Sequence, residues 1–281
     1  MTTTLPSAPG PIGVFDSGYG GLTILESIRR RLPGYDYLYL GDNARAPYGQ
    51  RSFELIYEFT LHAVEELFRR GCHLVILACN TASAKALRSI QQRVLPVLDP
   101  ERRVLGVIRP TVEVLDRLTG SGHVGVLATQ GTVDSHSYRL EIEKLYGGGL
   151  SVTEMPAPLW VPLIENFEAD GPGADYFVEK YIGRLLAADP KIDTIILGCT
   201  HYPLLLGKIN RFLPEGVKAV PQGDLVAESL ADYMTRHPEI DAKCTRGGCA
   251  SFLTTENPGK FDAMASAFLG YEINSTKITL P

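Results

Sequence analysis

The sequence has little sulfur and little indole: five cysteines, four methionines and one tryptophan in 281 residues. Cys72, Cys79, Cys199, Cys244 and Cys249 form an odd set without the spacing of a secreted scaffold, which predicts free thiols in a reducing compartment and no disulfide framework. Cys244 and Cys249 are not followed by a second CxxC-like pair, so a zinc site is not expected. No apolar run approaches the roughly 18 to 20 residues that cross a bilayer. Residues 1–11 lack the basic and apolar regions of a signal peptide, and the expectation is a cytoplasmic protein that does not engage membranes. Basic clusters are also missing. Lys and Arg number 27 against 32 Asp and Glu, a formal charge of −5, and the longest basic run is Arg29-Arg30-Arg31 at the end of a predicted helix, where cations complement the dipole. A nucleic-acid surface is therefore not expected.

A hydrophobic content of 44% over this length suits two globular domains. Short β-branched runs alternate with helical periodicity, predicting strands at 12–16, 37–41 and 74–79 between helices at 22–32, 53–69 and 82–95. The pattern restarts near 104, with strands at 104–108, 124–128, 150–154 and 192–198 and helices at 111–118, 135–146 and 174–187. A strand near 217–221, a helix at 224–235, a strand at 250–254 and a helix at 259–268 complete the chain. This is an α/β protein of two similar domains, each a mainly parallel sheet flanked by helices. The first is expected to comprise 1–101 plus 212–281 and the second 102–211, with two crossings forming a hinge. Ligands of open α/β sheets sit outside the carboxyl ends of the strands, which makes the cleft between the domains the expected site.

Two segments end their apolar runs on cysteine: Val75-Ile-Leu-Ala-Cys-Asn-Thr81 and Ile195-Ile-Leu-Gly-Cys-Thr-His201, offset by 120 residues. A second pair, Ile12-Gly-Val-Phe-Asp-Ser17 and Val124-Gly-Val-Leu-Ala-Thr129, is offset by 112. Such parallel spacing suggests a duplication with pseudo-twofold symmetry. A cysteine opening a helix has its thiolate stabilised by unpaired N–H groups and the dipole. One such cysteine alone reads equally well as a small buried hydrophobe; two in matching positions, each with polar followers, point to paired acid/base groups that reach opposite faces of a bound stereocentre. His201 beside Cys199 is placed to tune that thiol. Asp16-Ser-Gly-Tyr-Gly-Gly21 is a glycine-rich loop suited to an anion, though neither a P-loop nor a GxGxxG, and Gly41-Asp-Asn-Ala-Arg-Ala-Pro-Tyr-Gly49 is too polar to be a simple connection. On these residues a Cys/His hydrolase is also conceivable, but it leaves the second cysteine unexplained.

Phe15-Asp-Ser-Gly-Tyr-Gly-Gly21, Gly41-Asp-Asn-Ala-Arg-Ala-Pro-Tyr-Gly49, Cys79-Asn-Thr-Ala-Ser-Ala84 and Gly198-Cys-Thr-His-Tyr-Pro-Leu-Leu205, in this order, resemble the signatures of the cofactor-independent glutamate racemases. The resemblance implies interconversion of L- and D-glutamate with no cofactor and no metal, a role in supplying D-glutamate for peptidoglycan, and a homodimer. It implies Cys79 as the base toward D-glutamate and Cys199 toward L-glutamate, assisted by Asp16, His201 and Glu165. It also implies substrate contacts from Asp16, Ser17, Tyr48, Gly49, Asn80, Thr81, Thr129, Thr132, Thr200 and His201. Asn43, Ala157 and Arg109 depart from the family pattern. The competing expectations are an aspartate or hydantoin racemase of the same superfamily, against the first of which His201 speaks, and a non-catalytic amino-acid-binding regulator.

Overall fold

The computed structural model describes residues 5–281. Its chain divides into two compact units, the described residues up to Val107 with Gly223–Pro281, and Ile108–Gln222. The first carries six parallel strands: β1 (Ile12–Asp16), β2 (Tyr37–Gly41), β3 (Leu74–Leu77), β4 (Arg103–Gly106), β9 (Ala250–Thr254) and β10 (Ser275–Lys277), in the order β10-β9-β2-β1-β3-β4. The second carries β5 (His123–Ala128), β6 (Ser151–Pro156), β7 (Thr194–Gly198) and β8 (Lys218–Val220), all parallel, in the order β6-β5-β7-β8.

The apolar runs of β1, β2 and β3 have no polar face because both faces of their sheet are covered. Ile12, Val14, Tyr37, Tyr39, Leu74 and Ile76 point to one side, into a core with Leu22, Leu25 and Ile28 of helix Gly21–Arg31 and Val226 and Leu230 of helix Gly223–Arg236. Their neighbours Phe15, Leu38, Leu40, Val75 and Leu77 point to the other, against Ile56, Val64 and Leu67 of helix Phe53–Arg69. Each fully buried aliphatic side chain contributes about 1.5–3 kcal/mol, so the strand runs specify the sheet before any turn chemistry does. In the second unit Trp160 is wholly buried, edge-on to Tyr202 at 4.7 Å between centroids, and its indole N–H donates to the Phe177 carbonyl at 3.3 Å.

The duplication read from the sequence reappears in the sheets. The order β2-β1-β3-β4 matches β6-β5-β7-β8 strand for strand. Gly13 faces Val75 across β1 and β3, and shifting these by the two sequence offsets gives Gly125 and Ile195, which face one another across β5 and β7.

Several expectations need correction. The run at 104–108 is β4 of the first sheet, and that at 217–221 is β8 of the second, so the crossings fall after Val107 and after Gln222 rather than after 101 and 211. Both are short edge strands whose sheet is chosen by a distant partner. The helix expected over 82–95 starts at Asn80 and breaks after Lys85, continuing through a π-helical turn at Ile90–Val94. That over 135–146 is interrupted at His136, whose backbone is left-handed at φ 52°. Helices Trp160–Glu165 and Leu206–Phe212 and strand β10 were not anticipated.

Candidate active site

In the first unit three loops leave the carboxyl ends of adjacent strands β2, β1 and β3. Asp16 ends β1, wholly buried, and its Oδ2 accepts from the Gly18 N–H at 2.8 Å. A Cβ on Gly21 would lie 2.4 Å from that of Asp16, so only glycine lets the helix start against this carboxylate. The Tyr39 hydroxyl donates to the Gly18 carbonyl at 2.9 Å and holds the glycine loop from below.

Cys79 caps helix Asn80–Lys85 from just beyond β3. Its Sγ accepts from the Ala82 N–H at 3.5 Å and donates toward the Ser17 Oγ at 3.4 Å. Asn80 and Thr81 form the buried first turn of that helix. The loop after β2 carries Tyr48 and Gly49, and is organised by Asp42, which sequence reasoning passed over. This buried carboxylate accepts from the Tyr48 hydroxyl at 2.5 Å, from Arg45 Nε at 2.7 Å and from the Thr255 hydroxyl at 2.9 Å. Burial, then the Asp42 charge, holds the Tyr48 phenol well above its ordinary pKa, as a neutral donor. The signal for Asp42 lay in the polar loop itself, where Arg45 and Tyr48 follow three and six residues on, whereas its third partner, Thr255, is 213 residues away.

The second unit repeats the plan with different chemistry. Loops leave β6, β5 and β7, again adjacent. Thr129, which stands where Ser17 stands in the first half, caps helix Gln130–Asp134 and accepts from the Thr132 N–H at 3.3 Å, with the two hydroxyls 3.1 Å apart. Ala128 occupies the position of Asp16, so this half has no carboxylate there. Cys199 follows β7, but no α-helix opens at it; Thr200 and His201 form a turn into the 3-10 segment Tyr202–Leu205.

In this half the polar neighbour of the cysteine is His201 instead. Its Nδ1 lies 4.0 Å from Cys199 Sγ, the outer reach of a sulfur hydrogen bond, and its Nε2 lies 2.9 Å from Glu165 Oε1. Burial by itself lowers the proton affinity of His201; the hydrogen bonds to Cys199 and Glu165, with their negative charge, more than reverse this and raise the pKa to about 10. The imidazole is thus cationic at neutral pH. Glu165 arrives on helix Trp160–Glu165, in the loop after β6, the counterpart of the loop bearing Tyr48.

Cys72, by contrast, is packed in the core, where burial pushes its thiol up to about 12. Cys244 is likewise raised to about 12 by burial, and Cys249 is exposed. Among the described residues no group of three or more His, Cys, Asp or Glu is placed to hold a metal ion, and no helix is long and apolar enough to cross a membrane.

The sequence model of the family described as Asp/Glu/Hydantoin racemase matches residues 12–229. The chain belongs to this family. Within the racemases, it is 42% identical over 272 residues to a glutamate racemase of a Ruegeria species, covering 93% of this chain and 97% of the relative. Its fold is similar to that of a glutamate racemase isoform from Bacillus anthracis, with a TM-score of 0.87 at 33% identity over 97% of this chain and 98% of the other. It is also similar to a glutamate racemase from Francisella tularensis solved with D-glutamate, with a TM-score of 0.84 at 32% identity over 96% and 98% of the two chains. Racemases act on a carbon that must be approached from two sides, and each half of this chain holds one thiol at the same register of the same strand order.

Proposed function

We propose that this racemase interconverts L- and D-glutamate by a cofactor-independent two-base reaction in which Cys79 and Cys199 serve opposite faces of Cα. The repeat of one thiol at matched strand ends carries the reading, and the relatives named glutamate racemase, one of them holding D-glutamate, support glutamate as the substrate.

Cys79 as thiolate takes the α-proton of D-glutamate and Cys199, as thiol, gives one to the other face; the reverse direction exchanges the roles. The α-proton is very weakly acidic, so donors preorganised toward the substrate carboxylate and exclusion of water carry much of the barrier reduction. Ser17, Tyr48, Gly49, Asn80 and Thr81 in one half, and Thr129, Thr132 and Thr200 in the other, are the proposed binding groups. The proton balance at each thiol is kept by unlike partners: Asp16 in the first half, the His201–Glu165 pair in the second. His201, with Nδ1 toward Cys199 and Nε2 on Glu165, is placed to exchange a proton with that thiol in either direction. The product D-glutamate would feed peptidoglycan synthesis in the cytoplasm, from an enzyme working as a homodimer.

The test is incubation with L-glutamate in deuterated water without added cofactor, following α-deuterium in each enantiomer. Two-base chemistry predicts deuterium in the D-glutamate formed while the early remaining L-glutamate keeps its proton. Equal early labelling of both enantiomers would replace the two-thiol scheme by a single base, and no exchange with glutamate alongside exchange with aspartate would move the substrate assignment.

A further inference from the structure

Ser83 takes no part in the chemistry above, yet it ties its own helix and the strand before it to a crossing 24 residues further along the chain. It lies buried on helix Asn80–Lys85, which Cys79 caps, and its N–H donates to the Cys79 carbonyl at 2.9 Å. Its hydroxyl donates to the Leu77 carbonyl at 2.8 Å, in the strand that delivers the cysteine, and accepts from the Val107 N–H at 3.4 Å. Val107 is the last residue of the first unit before the chain crosses to the second.

The crossing is pressed tightly onto this hydroxyl. A Cβ on Gly106 would lie 2.9 Å from Ser83 Oγ and 2.7 Å from Leu87 Cδ2, so the absence of a side chain at 106 is what lets the strand end reach Ser83. The return crossing is held differently: Gln222 donates from Nε2 to the Thr111 hydroxyl at 2.8 Å and the Tyr138 hydroxyl at 2.7 Å, all within the second unit. The outgoing crossing is therefore tied to the element that carries a thiol, and the returning one is tied to the body of its own unit.

We propose that Ser83 is a positioning residue for Cys79, a clasp through which the first crossing fixes the turn of helix that presents this thiol. The Ala82 N–H that caps Sγ belongs to the same turn, so releasing the Ser83 hydroxyl from Leu77 and Val107 lets cap and sulfur lose their alignment. Ser83→Ala removes the hydroxyl, and Gly106→Ala displaces it from the crossing side. The second variant decides the matter if the first does not fold. Thr60→Val, which deletes a buried hydroxyl bonded to the Ile56 carbonyl at 2.6 Å inside one helix, is the control for a purely structural loss.

The kinetic arm rests on the racemase reading. Enantiomers have equal free energy, so kcat/KM is the same in both directions and falls equally, by about five- to tenfold for one lost hydrogen bond. What becomes unequal is which proton transfer limits the rate. In Ser83→Ala and Gly106→Ala the isotope effect on kcat/KM rises with α-deuterated D-glutamate, whose deuterium Cys79 removes, and falls with α-deuterated L-glutamate. Thr60→Val leaves both unchanged.

A second arm needs no substrate. Alkylation by iodoacetamide at pH 7, resolved by mass spectrometry, slows at least threefold at Cys79 in both clasp variants and is unaltered at Cys199. Isotope effects that stay put or move together, or equal alkylation changes at the two thiols, would overturn the clasp. If the wild-type protein itself exchanges neither glutamate enantiomer, the racemase reading falls, and the alkylation ratio alone decides the role of Ser83.

Discussion

Replacing Glu165 by Gln tests the second half of the proposed machinery through a single charge. The amide keeps an oxygen able to accept from His201 Nε2 at the 2.9 Å seen for the carboxylate, so the geometry survives and only the charge is lost. The imidazole is buried, but the Glu165 side chain is 29% exposed, and solvent screens the pair. The lost interaction is then on the order of 1–2 kcal/mol, about a tenfold drop in the proton affinity of His201. The His201 pKa is raised in the folded state to about 10 from an ordinary 6.5. A raised histidine contributes stability that is complete below the unfolded value and disappears as pH climbs through the folded one. Wild-type stability should therefore decline between about pH 6.5 and pH 10, and the Gln variant should be less stable by roughly 1–2 kcal/mol at pH 6 while converging on wild type near pH 10. Urea unfolding at pH 6, 8 and 10 measures the difference directly, because other titrating groups cancel between the two proteins. An NMR titration of His201, identified by the signal absent from His201→Asn, gives the pKa itself. A stability difference constant across pH, or a His201 signal titrating identically in both proteins, would refute the charge coupling between Glu165 and His201.

Cys79→Ser and Cys199→Ser should each reduce racemisation by more than about a thousandfold, since an alcohol is a far poorer base at neutral pH, while calorimetry still detects glutamate binding; a single variant with wild-type turnover would remove that thiol from the mechanism. Gly21→Ala places a methyl 2.4 Å from the Asp16 Cβ and should cost about 2 kcal/mol or more in urea unfolding together with most of the activity. Cys72→Ala empties a small buried site and should cost about 1–2 kcal/mol with kcat/KM within twofold of wild type, because that thiol is packing. A large kinetic defect there would mean that the reactive set extends beyond two cysteines.

Some of this was legible because it is written locally. β1 and β2 match their sequence-predicted bounds, and both are short apolar runs between turn residues. The turn at Cys199 was not legible: the motif Gly198-Cys-Thr-His201 parallels Ala78-Cys-Asn-Thr81, yet Pro203 and the pairing of His201 with Glu165 give a 3-10 segment where the first half has an α-helix. Strand β10, Ser275-Thr-Lys277, has no apolar alternation at all and exists by pairing with β9 at the sheet edge. The domain boundaries failed for the same reason, since β4 and β8 look alike locally and differ only in which sheet receives them.

The sequence by itself determined the two thiols, their place at the ends of apolar strands, and the offsets that mark the chain as a repeat, because strand burial and helix-opening residues act over a few neighbours. Only the tertiary structure decided which loops stand side by side, that Asp42 reaches Tyr48 and Thr255, that Glu165 answers His201, and that Ser83 holds the outgoing crossing. Apart from the contact of Asp42 with Tyr48 six residues on, those choices depend on hydrogen bonds between residues tens to hundreds of positions apart, whose energies are felt only once the sheets have fixed their order.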